Sequence, residues 1–275
     1  MNEILLFVAS MPWVVVYAVA GALAGLLGSG AGLIAQKYFG LSKGWKFVPV
    51  VVFTALSLNV SQWLFEEAVP AQAVSTLKQN RLFGVILKHH PEAEREYIER
   101  YKKILSGPRE QVRAQSRALA ADFTGRYLDL HMLTASDAAI HHLLQTEARI
   151  LEALKNNPAE CVAQYLGTPT ASRLEAIPRP LVEANLNAKA EVIESSVITQ
   201  SPPPRIANIK DVVGVITRAY RAKGYDIAGI AKLANMHSLP PAEGCEVGYM
   251  FVSALLSMDE NQSAFVFKGL MAAGK

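Results

Sequence analysis

The chain has 275 residues, a hydrophobic fraction of 51% and a net charge of +3. This length is ample for one or two domains with a buried core, so it excludes no soluble or membrane fold class. The charge is local rather than global: residues 78–126 hold eleven basic and six acidic residues, while the first 77 residues are balanced. The distribution of residues along the chain is therefore more informative than the totals, because apolar residues are concentrated at the N-terminal end.

The N-terminal region predicts a transmembrane helical hairpin. No charged residue occurs between Ile4 and Ala35, whereas roughly 20 apolar residues suffice to cross a bilayer. A second apolar run covers 47–65 and is closed by Glu66 and Glu67, because carboxylates are costly in hydrocarbon. We assign residues 1–68 to this hairpin.

A cleaved signal peptide is the alternative interpretation of the first run. Such a peptide needs a basic start and an apolar stretch of about 7 to 15 residues, but this run is longer and follows Glu3. The loop at 36–46 carries three lysines, which favours a cytoplasmic loop with both chain termini outside. The sequence thus predicts an integral membrane protein whose following domain is extracytoplasmic, in the periplasm of an envelope.

The two predicted spans carry complementary faces. Small residues recur every fourth position on the first span, and hydroxyl side chains share a face of the second. Such faces allow close packing between membrane helices. We expect them to pack within one hairpin; an interface between copies or with another subunit, lining a pore, is the alternative. The residues are Ala20, Ala24, Gly28 and Gly32 on the first span and Thr54, Ser57 and Ser61 on the second.

Residues 69–275 predict an all-helical extramembrane domain, because their apolar residues follow helical spacing and no alternating strand pattern is found. The proline triplet Pro202–Pro204 must interrupt a helix, and it marks a potential C-terminal lobe at 205–275. Pro91 and Pro108 suit the first turn of a helix, and Ser136 suits an N-cap. The predicted helices cover 72–88, 91–105, 108–133, 136–156, 159–166, 178–199, 206–223, 226–235, 241–257 and 259–272.

The two cysteines, Cys161 and Cys245, each follow a proline near a predicted helix start. In an oxidising compartment an even number of cysteines usually forms disulfides. In a reducing compartment they would be inert core residues, or a thiol with a lowered pKa at a helix start. The predicted topology favours a disulfide between them.

The histidines offer one candidate for metal or acid–base chemistry. Asp137 and His141 share a helix face, and Asp129 and His131 lie just upstream. Because no ligand spacing typical of a metal site occurs, we favour surface or capped histidines. We predict no catalytic residue, no bound cofactor and no metal, and an enzyme is the less favoured class.

The basic segment after the anchor has two interpretations. Its charges alternate with acids at spacings that favour ordinary ion pairs on solvated helices. Alternatively, Arg95, Arg100, Lys102 and Lys103 contact anionic lipid headgroups, since they begin close to the bilayer. Nucleic-acid binding ranks last because aromatic platforms are missing.

These observations favour a membrane-anchored helical scaffold or binding subunit of a cell-envelope complex. Its expected partners are the lipid bilayer and other membrane or envelope proteins, including copies of itself, and no nucleic acid. A subunit of an oligomeric pore or of a transport or secretion assembly is the first alternative. An envelope enzyme whose site residues are not identified is the second.

Overall fold

The computed structural model of the protein describes residues 69–168, 176–199 and 209–273. Every regular element in these ranges is a helix and none is a strand, which confirms the all-α prediction for this part of the chain. None of these helices is both long and apolar enough to cross a membrane. The predicted hairpin, with its packing residues from Ala20 to Ser61, lies outside the described residues.

Eleven α-helices and one short 3₁₀ helix make up the described ranges. The 3₁₀ helix spans Met236–Ser238. The α-helices are α1 (Val69–Lys78), α2 (Arg81–His89), α3 (Glu92–Leu105), α4 (Arg109–Met132), α5 (Asp137–Ala153), α6 (Pro158–Tyr165), α7 (Arg179–Thr199), α8 (Ile209–Ala222), α9 (Ala228–Leu233), α10 (Pro241–Leu255) and α11 (Glu260–Ala273).

Several helix starts follow the capping signals in the sequence. The Ser136 hydroxyl accepts a hydrogen bond from the backbone N–H of Ala139 at 3.2 Å, as an N-cap residue should. Pro158 and Pro241 open α6 and α10, because a first-turn proline has no N–H that needs a helical partner.

The prediction of one helix over 72–88 is wrong. The chain breaks between α1 and α2, where the Asn80 side chain accepts a hydrogen bond from the backbone N–H of Leu82 at 3.0 Å. Asparagine favours this geometry because its side chain satisfies a backbone donor that otherwise lacks a partner in the first turn. A second helix therefore begins at Arg81.

The described residues divide into two compact units. The first holds residues 69–77 and 97–107, and in it the rings of Tyr97 and Tyr101 stack with centroids 6.2 Å apart. Burial raises the pKa of Tyr97 to about 12. The second holds residues 78–96 and 108–273 and contains the hydrophobic core, the disulfide and the histidine pair described below.

Helix α5 lies at the centre of the second unit, where it contacts α6, α7, α10 and α11. It buries an apolar stripe at helical spacing that includes Ile140, Leu143, Ile150 and Leu151. Burying such a side chain fully contributes roughly 1.5 to 3 kcal/mol. Tyr220 of α8 belongs to the same cluster, so residues on both sides of the proline triplet share one core. The lobe boundary at 205 falls between the described ranges and stays a prediction.

Helices α6 and α10 approach each other closely and are cross-linked. Cys161 and Cys245 form a disulfide with Cα atoms 5.4 Å apart, which confirms the predicted pairing and lies within the usual range. A Cβ added at Gly244 would lie 2.9 Å from Val162 Cγ2, and one at Gly248 would lie 3.0 Å from Tyr165 Cδ2. These two glycines therefore permit the short distance between the helices.

Candidate functional site

A chain of polar side chains connects α2, α3, α4 and α7 in the second unit. His90 follows α2 as its C-cap residue, with its backbone N–H bonded to Ile86 O at 2.8 Å. Glu92 is the first residue of α3, His131 is in the last turn of α4, and Ser196 is near the end of α7. Four helix ends thus meet around the two imidazoles.

The distances define one continuous chain of hydrogen bonds. His90 Nδ1 lies 3.2 Å from Glu92 Oε1, and His90 Nε2 lies 2.8 Å from His131 Nε2. His131 Nδ1 lies 2.6 Å from Ser196 Oγ, and this hydroxyl lies 2.9 Å from Thr134 Oγ1. The five residues therefore link the end of α2, the start of α3, the end of α4 with its following turn, and the end of α7.

The chain runs from solvent into the protein. The Glu92 side chain is 63% exposed and that of His90 is 18% exposed, whereas His131 and Ser196 are buried. Burial lowers the pKa of His131, and the neighbouring His90 and His89 lower it further. The environment thus favours the neutral form of His131.

Aromatic and cationic groups border the outer imidazole. The Tyr127 ring lies against His90 with centroids 4.7 Å apart, and the Arg126 guanidinium lies 5.1 Å from the Tyr127 centroid. Arg126 also donates to Glu96 at 2.7 Å. The positive charge of Arg126 is therefore paired with a carboxylate outside the histidine chain.

The spacing of the two imidazoles fits a hydrogen bond rather than a shared metal ion. Zinc–nitrogen bonds of about 2.0–2.1 Å at a tetrahedral angle separate two ligand nitrogens by about 3.3 Å, which exceeds the observed 2.8 Å. Within the described ranges, no group of three or more His, Cys, Asp or Glu residues is arranged to hold a metal.

A nucleophilic role for Ser196 is not supported by this geometry. Its hydroxyl already contacts His131 and Thr134, and the residue is only 5% exposed. A serine nucleophile must reach a substrate carbonyl and have the base within hydrogen-bond distance. Here His131 is within hydrogen-bond distance of the hydroxyl, but the buried hydroxyl cannot reach a substrate.

The members of the histidine–carboxylate group suggested by the sequence bond to different partners in the structure. His141 bonds to Ser263 at 2.8 Å, while Asp137 bonds to Lys268 at 2.8 Å. His131 instead meets His90, which lies 41 positions away in the chain. Sequence reasoning missed this pair because no local spacing connects the two residues.

The predicted lipid-contacting residues differ in exposure. Arg95 and Lys103 are exposed, whereas Arg100 and Lys102 are half-buried and interact with other residues. Lipid contact by these residues stays a prediction.

An open cleft lies beside the disulfide. It has a volume of about 530 Å³, and its walls include Tyr225, Tyr249, Met250 and Cys245. Lys155 Nζ lies 4.2 Å from the Tyr249 ring centroid. A second cleft, of about 500 Å³, lies between α8 and α11, with Phe265 beside Arg218 and Asp259. Both clefts combine apolar walls with charged groups.

Comparison with known protein families, with curated proteins and with solved structures finds no match to this chain.

Proposed function

We propose that this protein is a membrane-anchored helical binding subunit of a cell-envelope complex, with its helical domain on the extracytoplasmic side. The observation that carries the proposal is the Cys161–Cys245 disulfide inside the core. Disulfides persist in oxidising compartments and are rare in the cytosol. The charge-free run from Ile4 to Ala35 supports an anchor, since it is long enough to cross the hydrocarbon layer.

Binding is favoured over catalysis by the arrangement of polar groups. The buried histidine chain leaves Ser196 inaccessible, while the clefts open to solvent with mixed apolar and charged walls. Concave surfaces with a few fixed polar groups are typical of binding sites. The cleft between α8 and α11 is the surface that we expect to hold a partner.

The topology is tested with a reporter enzyme that is active only outside the cytoplasm. Fused after Lys275, it should be active, and fused within the loop after Lys43 it should be inactive. The matched control is a reporter that is active only in the cytoplasm, placed at the same two points. Activity of the cytoplasmic reporter after Lys275 would contradict the proposed location.

The binding role is tested by co-purification of the full chain in mild detergent after cross-linking. Arg218→Glu reverses a charge in the cleft, whereas Arg221→Glu makes the same change on exposed α8 surface outside the cleft lining. We expect Arg218→Glu to lose a bound protein that Arg221→Glu retains. Equal retention by both variants, or no bound protein with wild type, would contradict a binding role for this cleft.

A pore or transport subunit is the second candidate, favoured by the small residues that recur every fourth position in the first predicted span. Gly28→Leu should separate two helix backbones packed on that face, while Leu27→Ile makes a conservative change beside it. Loss of a large detergent-stable assembly in Gly28→Leu, with insertion intact, would favour an intermolecular face. Loss of insertion would favour packing within one hairpin.

A further inference from the structure

The chain of hydrogen bonds around His131 is fully satisfied when both imidazoles are neutral. Thr134 then donates to Ser196, Ser196 donates to His131 Nδ1, and His131 Nε2–H donates to His90 Nε2. His90 Nδ1–H completes the chain by donating to the Glu92 carboxylate. Each imidazole has one donor and one acceptor nitrogen in its neutral form, so all donors point in one direction.

One additional proton can be accommodated without breaking a contact. If His90 becomes an imidazolium, it donates from both nitrogens, to Glu92 and to His131 Nε2. His131 then changes tautomer and donates from Nδ1 to Ser196, which turns its hydroxyl to Thr134. The contact of His90 Nδ1 with Glu92 Oε1 at 3.2 Å and the Tyr127 ring at 4.7 Å between centroids both stay in place with an imidazolium, because a cation can pair with a carboxylate and lie on an aromatic face.

A second proton cannot be accommodated. With both imidazoles charged, every ring nitrogen is a donor, so two N–H groups would face each other across the 2.8 Å between the Nε2 atoms. We propose that the His90–His131 contact is a proton-operated latch, which holds the end of α2 against α4 and α7 while at most one imidazole is charged and opens when both are charged.

The charged groups around the pair do not offset a second proton. Beside the pair, His89 of α2 is another potential cation, and Glu92 of α3 is a largely exposed carboxylate. From α4, Arg126 is paired with Glu96. The acids Glu191 and Glu194 of α7 are bonded to Arg81 and His142 rather than to this pair.

The latch fastens one end of a short helix. Helix α2 has nine residues, and its other end is held by the pairs of Arg81 with Glu191 and Glu194. Between these ends, Phe83 stacks on Phe123 with centroids 5.8 Å apart. Opening at His90 should therefore release the last turn of α2 and leave the rest of the unit folded.

The test is hydrogen exchange of the full chain in detergent, comparing amides at the end of α2 with reference amides in α5. Dividing the exchange rate at the end of α2 by the rate in α5 cancels the effect of pH on the intrinsic exchange rate of amides. In wild type we expect this ratio to rise about ten-fold between about pH 7.5 and pH 5, because the open form gains protons that the closed form excludes. A constant ratio would overturn the proposal.

Variants identify the groups responsible. His90→Gln keeps a donor and an acceptor but cannot be charged, so the rise with acid should disappear. The control is His237→Gln, since His237 is an exposed histidine of the 3₁₀ helix and is not part of the contacts that hold α2; it should retain the rise seen in wild type. The same rise in His90→Gln and His237→Gln would overturn the latch.

A measurement on wild type removes the dependence on a folded variant. Nitrogen-15 NMR of the histidine side chains reports the tautomer and charge of each ring. We expect one partner to become charged first, and the charging of the other to coincide with the increase in α2 exchange. Two independent titrations with ordinary midpoints, without any change in α2, would overturn the proposal.

Discussion

The ammonium group of Lys268 on α11 lies 2.8 Å from a carboxylate oxygen of Asp137 at the start of α5, although 131 positions separate them in the chain. It also donates to the carbonyl oxygen of Ala135 at 2.6 Å. The Lys268 side chain is 5% exposed and that of Asp137 is 42% exposed. A buried ammonium needs such acceptors, so this contact fixes α11 to the turn between α4 and α5.

Replacing this lysine should destabilise the protein. We expect Lys268→Met, which preserves much of the side-chain volume, to lower the free energy of unfolding by about 1 to 3 kcal/mol, because the Ala135 carbonyl loses a buried partner. Urea unfolding of the full chain in mild detergent, followed by circular dichroism, measures this change. The exposed Lys223→Met is the control and should change stability by less than about 0.5 kcal/mol. Equal effects of the two variants would contradict the structural role of Lys268.

Glycine-to-alanine changes should have opposite signs at two helical positions. At Gly248 an added methyl group would lie 3.0 Å from the Tyr165 ring, so Gly248→Ala should destabilise by about 1 to 3 kcal/mol through overpacking. At Gly125 in α4 nothing lies within 4 Å of the added atom, so Gly125→Ala should stabilise by about 0.5 to 1 kcal/mol through helix propensity. The same unfolding measurement compares both variants. Stabilisation by Gly248→Ala would contradict the close packing of α6 and α10.

Replacing Tyr220 with phenylalanine should stabilise the protein. The residue is fully buried, and its hydroxyl has no hydrogen-bond partner among the described residues. Tyr220→Phe should therefore stabilise the protein by up to about 1 kcal/mol, since an unpaired buried hydroxyl is costly. The control Tyr225→Phe removes a hydroxyl that lies 3.2 Å from Ser253 Oγ, and it should be neutral or destabilising.

The Tyr220 variant should also respond differently to alkaline pH. Burial raises the pKa of Tyr220 to about 12, above the value of about 10 for an unfolded chain. The unfolded state thus loses its proton first, and the stability contributed by this group declines as pH rises from about 10 to about 12. The decline between these pH values should be smaller in Tyr220→Phe than in wild type. Parallel pH profiles for the two proteins would contradict the raised pKa.

The starts of several helices were predictable from local chemistry, whereas the break between α1 and α2 was not. Ser136, Pro158 and Pro241 each lie at a helix start and satisfy its requirements through neighbouring residues. The starts of α5, α6 and α10 could therefore be inferred from the local sequence. The break before α2 depends on whether the Asn80 side chain caps a new helix or points to solvent within a longer one. Apolar periodicity continues across this position, and it therefore predicted one helix.

The candidate site was not predictable for a different reason. His90, His131 and Ser196 come together only after α2, α4 and α7 have packed, and 41 and 65 positions separate the bonded pairs. A single sequence contains no signal for that packing. The two cysteines, in contrast, could be paired because the chain has only two of them and the predicted compartment favours oxidation.

The disulfide should account for a large part of the stability of the helical domain. Cys161 and Cys245 are 84 positions apart, and closing a loop of that length restricts the unfolded chain by about 4 to 5 kcal/mol in the entropy model. We expect the double variant Cys161→Ala/Cys245→Ala to be less stable than wild type by about 2 to 5 kcal/mol, because some of that gain is lost to packing differences. A reductant should lower the stability of wild type towards that of the double variant. It should leave the double variant unchanged, so the double variant is the control for other effects of the reductant. Mass spectrometry after alkylation under non-reducing conditions should detect no free thiol in wild type, since the chain has no third cysteine. Two alkylated cysteines in protein isolated from cells without reductant would show that the bond does not form there, and would remove the main support for an extracytoplasmic domain.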